Sequence, residues 1–159
     1  GNNKHNYSEG RMTGKTDFAY GAGFFGKFEL NKFLAIKTGA DYYYLGANRY
    51  EARVKYHNIS VPILLSLKTS INENDFEYSF SIGGFYNYIF DSRADINGIE
   101  RKDYLNKNLL GLQLEVEFRY RKIFYGYQFK RSLTDMLRDP ISNGKTYQIT
   151  NSFKIGYVF

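Results

Sequence analysis

Residues 110–120 read Leu-Gly-Leu-Gln-Leu-Glu-Val-Glu-Phe-Arg-Tyr. Every even-numbered position in this stretch is large and apolar, whereas the odd-numbered positions carry a glycine, an amide and three charges. Successive side chains of a β-strand point to opposite faces, so the alternation predicts a strand with one apolar and one polar face. The same two-residue period recurs elsewhere and closes the chain at 147–159, which predicts an all-β protein.

Seven segments are predicted as strands from this alternation. They cover residues 18–30, 34–44, 53–68, 76–90, 110–120, 123–130 and 147–159. The high content of Tyr and Phe, with only two prolines in the chain, also favours extended structure. Pro62 has no backbone N–H to donate, so it predicts a bulge or another local irregularity in the third segment.

The links between these segments alternate in length. Short links cover 31–32, 69–75 and 121–122, and longer polar links cover 45–52, 91–108 and 131–146. Short turns on one side and long loops on the other are typical of bacterial outer-membrane barrels, which have an even number of strands. We therefore expect a single domain, residues 1–159, forming an antiparallel up-and-down transmembrane β-barrel of the eight-stranded type, with its first strand before residue 1.

The composition excludes several other classes of protein. The chain has no cysteine, so neither disulfides nor thiolate chemistry is available, and no apolar run approaches the roughly 20 residues of a transmembrane helix. The net charge is +6, but the basic residues are scattered among 16 acidic residues and do not form one patch. We therefore expect no nucleic-acid partner.

Alternation alone does not say which face lies inside, because a soluble lipocalin-like barrel has the same period with its apolar face around a ligand. Three features favour an apolar face turned outward. Aromatic residues near segment ends resemble the girdles of membrane barrels, namely Phe18, Tyr20, Tyr42, Tyr44, Phe76, Tyr88, Phe90, Tyr157 and Phe159. Glycines on the polar face would relieve crowding in a narrow interior, at positions 21, 23, 39, 83, 111, 126 and 156.

The polar face also carries charges of both signs, which is the third feature that favours an inward polar face. By residue parity we place eleven of them in an interior ion-pair network: Lys27, Glu29, Lys37, Asp41, Glu77, Glu115, Glu117, Arg119, Arg121, Lys130 and Lys154. An unpartnered charge in such an interior would cost several kcal/mol, so the near balance of signs predicts pairing.

Four segments, taken in order, resemble the PorT-like outer-membrane β-barrel family of Bacteroidetes. They are Tyr-His-Asn-Ile-Ser-Val-Pro-Ile-Leu-Leu at 56–65, Ser-Ile-Gly-Gly-Phe-Tyr at 81–86, the strand at 111–120, and Ile-Gly-Tyr-Val-Phe at 155–159. The resemblance implies a Gram-negative outer-membrane location and no enzymatic activity. It also implies that Tyr157 and Phe159 form the C-terminal signal read by the barrel assembly machinery.

Catalysis has little support in the sequence. Glu115 and Glu117 lie about 6.5–7 Å apart along a strand, a separation that also fits a glycosidase pair. The neighbouring Arg119 and Arg121 favour ion pairing instead. His5 and His57 have no companions at the spacing of a catalytic triad or a metal site, and we expect no cofactor.

We therefore expect a small outer-membrane barrel with a side-chain-filled, non-conducting interior that acts as a structural or adaptor component through its outer loops. A secretion, gliding or surface complex is the expected setting. The expected partners are outer-membrane lipid, lipopolysaccharide, the barrel assembly machinery and proteins of a membrane complex. Basic residues of the long links, such as Arg93 and Lys102, suit lipid phosphates or an acidic protein, although solvation explains them equally well. The alternatives are a soluble or periplasmic ligand-binding barrel of lipocalin-like type and a narrow porin.

Overall fold

The computed structural model describes residues 15–49, 52–71, 76–96, 98–102, 105–136 and 147–159. The expected strand before residue 1 lies outside these residues. The strands are β1 (Lys15–Glu29), β2 (Leu34–Arg49), β3 (Ala52–Ile71), β4 (Phe76–Ile96), β5 (Ile99–Lys102), β6 (Asn108–Tyr120), β7 (Ile123–Ser132) and β8 (Ile149–Tyr157). No helix in the described part of the chain is long and apolar enough to cross a lipid bilayer.

The strands form one antiparallel sheet in the order β1-β2-β3-β4-β6-β7-β8, and β5 pairs with the end of β4. The all-β, up-and-down prediction is therefore confirmed, and all seven predicted strands are present. The alternation does not predict β5, which lies within the link 91–108. Instead, β4 continues to Ile96 and turns back at Gly98, which has a φ of 78° and donates its backbone N–H to Asp95 Oδ1.

The sheet has a turn end and a loop end. The turn end carries the links 30–33, 72–75 and 121–122, and the loop end carries the other links. β1 and β8 both run from the loop end to the turn end, as their pairings with β2 and β7 show. No backbone pairing joins β1 to β8 in the described residues, so they are the two edges of a curled, open sheet.

The curl brings distant strands together across a concave inner face. Four strands separate β2 from β8 along the sheet, yet Lys154 Nζ of β8 lies 3.7 Å from Asp41 Oδ2 of β2. The rings of Phe25 in β1 and Phe124 in β7 pack edge to face, with centroids 5.1 Å apart. The interior is therefore filled by side chains from both halves of the sheet.

Alternating burial distinguishes the two faces of each strand. In β6, Gln113, Glu115 and Glu117 are buried on the inner face, whereas Leu112 and Val116 are each 52% exposed on the outer face. β3, β4 and β7 repeat this arrangement, with exposed apolar side chains such as Ile63 outside, and the edge strand β8 alternates exposed with half-buried residues. The predicted direction of the faces is thus confirmed: the polar face is inside.

The predicted irregularity at Pro62 is present, but it is not a bulge. Pro62 pairs with Phe85 in an unbroken register with β4. Its missing N–H instead interrupts the bridges to β2, where Thr38 Oγ1 donates to the Pro62 carbonyl oxygen at 2.8 Å. The register shift lies between His57 and Asn58 and leaves Phe90 as the extra residue of β4.

Candidate functional site

The inner face gathers nine charged side chains from six strands into one connected set, which we call the charge network. Its members are Lys27, Lys37, Asp41, Glu77, Glu115, Glu117, Arg119, Lys130 and Lys154. All nine were predicted from residue parity. Every second residue of a straight strand points inward, so odd or even residue number was enough to predict these positions.

The centre of the charge network is Lys37, which is only 2% exposed. Its ammonium group pairs with Glu115 Oε1 and, at 2.5 Å, with Glu117 Oε1. The same ammonium lies 4.1 Å from the centroid of the Phe25 ring. Gln113 and Ser79 donate further hydrogen bonds to the two carboxylates, so each charge in this buried cluster is compensated.

Toward the turn end the charge network continues through β1 and β4. Lys27 Nζ lies 3.1 Å from Glu117 Oε2 and 3.6 Å from Glu77 Oε1. Glu77 in turn accepts a hydrogen bond from Arg119 at 2.7 Å. Because Lys27 and Arg119 are partly exposed, this end of the charge network meets solvent.

Toward the loop end the charge network continues through β8 and β7. Lys154 Nζ lies 3.2 Å from Glu115 Oε2 and 3.7 Å from Asp41 Oδ2. Lys130 Nζ lies 3.8 Å from the same Asp41 oxygen and donates a hydrogen bond to Ser60 Oγ at 2.8 Å. Positive and negative groups therefore alternate without a break from Arg119 to Lys130.

Two predicted members lie elsewhere. Glu29, at the end of β1, pairs with Lys68 of β3 and its side chain is 64% exposed. Arg121 lies in the turn between β6 and β7 with a φ of 52°, is exposed, and places its guanidinium 5.3 Å from the Tyr120 ring centroid. The assignment of Arg121 to the interior was wrong, because the strand ends at Tyr120 and parity does not continue through a turn.

The predicted inward set contains charged residues alone and omits three inward aromatic residues, which lie over glycines. Tyr43, Phe85 and Phe124 are the direct cross-strand partners of Gly21, Gly111 and Gly156. A methyl group added at any of these glycines would clash with the partner's ring. The prediction that inward glycines relieve crowding is thus confirmed, and a glycine opposite an aromatic residue was the signal available in the sequence.

A polar cavity lies between the charge network and the loop end. Its volume is about 10 Å³, and it is lined by Tyr43, Leu45, Asn58, Asn87, Gln128, Lys130, Gln148 and Thr150. Asn58 Oδ1, Asn87 Oδ1 and Gln128 Nε2 have no hydrogen-bond partner among the described residues. A cavity of this size has room for about one water molecule, which could hydrogen-bond to these polar atoms.

An apolar cluster covers this cavity at the loop end. It consists of Leu45, Tyr56, Ile89, Leu105 and Leu109, with Met136 packed against it. Two loop segments are joined there, because Asn106 donates its backbone N–H to the Met136 carbonyl and its side-chain amide to the Asp135 carbonyl. The interior therefore ends in an apolar plug.

The outer face carries an aromatic row at each end. At the loop end, Tyr44, His57 and Phe90 stack side by side, and Tyr42 shares a 2.7 Å hydrogen bond with His57 Nδ1. At the turn end, the rings of Phe76, Phe118 and Tyr120 are in contact. The rings of Tyr157 and Phe159 pack edge to face at 5.4 Å, and Phe159 is fully exposed.

Glu115 and Glu117, the two carboxylates with the separation of a glycosidase pair, are both bridged by the Lys37 ammonium group. Within the described ranges, no group of three or more His, Asp or Glu side chains is placed to hold a metal ion. The chemistry of the interior is ion pairing.

Comparison of the chain with protein families, with curated proteins and with solved structures found no match. The resemblance to PorT-like proteins therefore stays a prediction.

Proposed function

We propose that this chain is a small bacterial outer-membrane β-barrel with a filled, non-conducting interior and a structural or adaptor role carried by its outer loops. One observation carries the proposal: apolar side chains cover the outer face while the charges lie paired inside. A soluble protein rarely exposes contiguous apolar patches of more than a few hundred Å². Hydrocarbon is the environment in which such an outer face is stable.

Closure of the barrel is part of this proposal. β1 and β8 run in the same direction, so they are unsuited to pair with each other in an antiparallel meander. One further strand, running from the turn end to the loop end, would be antiparallel to both. In a bilayer, an unpaired strand edge costs several kcal/mol for each unsatisfied backbone group, which favours closure.

The filled interior argues against conduction. Eight strands leave room for packed side chains and no wide pore. The charge network occupies the middle of the interior, and the apolar plug of Leu45, Ile89 and Leu109 covers the loop end. Reconstitution in a planar bilayer should therefore give no sustained unitary currents, with an open porin as the positive control. Sustained steps would favour the narrow-porin alternative and contradict the filled interior.

The lipocalin-like alternative has less support. A barrel of that type needs an apolar inner face around its ligand, whereas the inner face here holds Lys37, Glu115 and Gln113. Extraction behaviour separates the two classes: a membrane barrel stays with the membrane fraction after a high-salt wash and needs detergent for release. Release by salt alone would favour the soluble barrel.

The adaptor role, the PorT-like assignment and the action of Tyr157 and Phe159 as an assembly signal are proposed from the resemblance. The exposed position of Phe159 at the end of the edge strand is compatible with such a signal. Isolation of the native particle from membranes tests the adaptor role. We expect a stoichiometric protein partner, and a barrel that is always isolated alone would contradict the adaptor role without affecting the fold.

A further inference from the structure

We propose that the loop end carries a binding site for the phosphate groups of an anionic membrane lipid, formed by Lys55, Arg93 and Lys102. This inference rests on the proposed membrane location. We call these three residues the cation row. They come from β3, β4 and β5, and all three side chains are exposed.

The backbone register places the cation row on one face. Lys55 pairs with Arg93, and Arg93 pairs with Lys102. Lys55 is two residues from the outward His57, so it also points outward. Directly paired residues share a face, and adjacent strands lie about 4.8 Å apart, so the three cations span about 10 Å on the outer surface. Such a row matches the size of a phosphorylated headgroup.

The cation row is incompletely neutralised by its neighbours. Like charges directly opposite each other destabilise a sheet. Arg93 forms two loose ion pairs, with Asp91 at 3.7 Å and with Glu100 at 3.8 Å. Neither Lys55 nor Lys102 forms an ion pair with a described acid. An anion shared among the three cations would relieve their repulsion, and phosphate oxygens accept the charge-assisted hydrogen bonds that Arg and Lys donate.

The position of the cation row along the barrel axis indicates that a lipid is the source of the phosphate. Along β3, Lys55 is the next outward residue after His57 toward the loop end. The cation row therefore lies about 6.5–7 Å beyond the aromatic row of Tyr44, His57 and Phe90. Aromatic belts of membrane proteins lie at the level of the headgroups. A lipid whose acyl chains lie along the apolar outer face would therefore bring its phosphates to Lys55, Arg93 and Lys102.

A lipid-binding titration tests this site. The detergent-solubilised, folded protein is titrated with lipid A, with phosphatidylcholine and with inorganic phosphate, and bound molecules are counted by native mass spectrometry. The variant K55Q/K102Q removes two cations from the row. The matched control K32Q/K122Q removes two cations from the turn end, where each lies beside an aromatic ring. Heat-modifiable migration in gels confirms that each variant is folded.

We expect lipid A to bind more tightly than phosphatidylcholine, and K55Q/K102Q to weaken its binding roughly fivefold for each cation removed. K32Q/K122Q should bind as the parent does. Equal loss in both double variants, or no loss in either, would overturn the site. Binding of inorganic phosphate as tight as that of lipid A would overturn the assignment to a lipid. A protein that remains in solution without detergent would instead contradict the membrane location itself.

Discussion

At the scale of single residues, the buried charges are the most informative part of this chain. Their positions follow from parity alone, since Lys37, Glu115 and Glu117 each occupy an inward position of a straight strand. Their partners do not follow from the sequence, because Lys37 is 78 residues from Glu115 and only the curl of the sheet joins them. Glu29 shows the same limit, because its pairing with Lys68 depends on where the strands end.

Replacement of Lys37 by Met should destabilise the protein by about 3–5 kcal/mol, since it leaves two buried carboxylates without their shared cation. Unfolding of the detergent-solubilised protein in urea measures this loss. The matched variant Lys32→Met lies in an exposed turn and should change the free energy of unfolding by no more than about 0.5 kcal/mol. Equal stability of the two variants would show that the ion pairs are dispensable.

At the scale of strands, the alternation specified the faces well but the irregularities poorly. β5 escaped prediction because Ile99–Lys102 is too short to show a period. The bulge of β4 lies opposite His57, whereas Pro62 interrupts only the bridges between β3 and β2. Phe85 and Phe124 occupy inward positions of their strands, but they are apolar like the residues of the outer face. At these two positions, residue spacing and side-chain polarity therefore predict opposite faces.

The glycines opposite aromatic residues give a strand-level prediction. Gly111→Val should destabilise the protein by about 1–3 kcal/mol, because the new side chain would collide with the Phe85 ring and the Arg131 carbonyl oxygen. Gly26→Val is the control, since no atom lies within 4 Å of its added Cβ. Urea unfolding of both variants measures the difference, and an equal effect would contradict the crowding of the inner face.

At the scale of the whole molecule, the outer face determines the environment of the protein. Val116→Arg would place a charge midway along β6 on this face, and a charge at the bilayer midplane costs about 2–4 kcal/mol. Ile99→Arg adds the same charge in β5, beyond the aromatic row, and should be nearly neutral. Folding yields and stability in lipid vesicles measure both effects. Equal tolerance would indicate that the Val116 side chain contacts water.

The central claim is that lipid surrounds the apolar face while the charged face lies inside. Because the chain has no cysteine, single cysteines can be introduced one at a time at 112, 114 and 116 and at 113, 115 and 117. Each variant is embedded in lipid vesicles and treated with a thiol reagent that is confined to the bilayer. We expect labelling at 112, 114 and 116 and protection at the other three positions. Labelling at 113, 115 and 117 with protection of the even positions would contradict it.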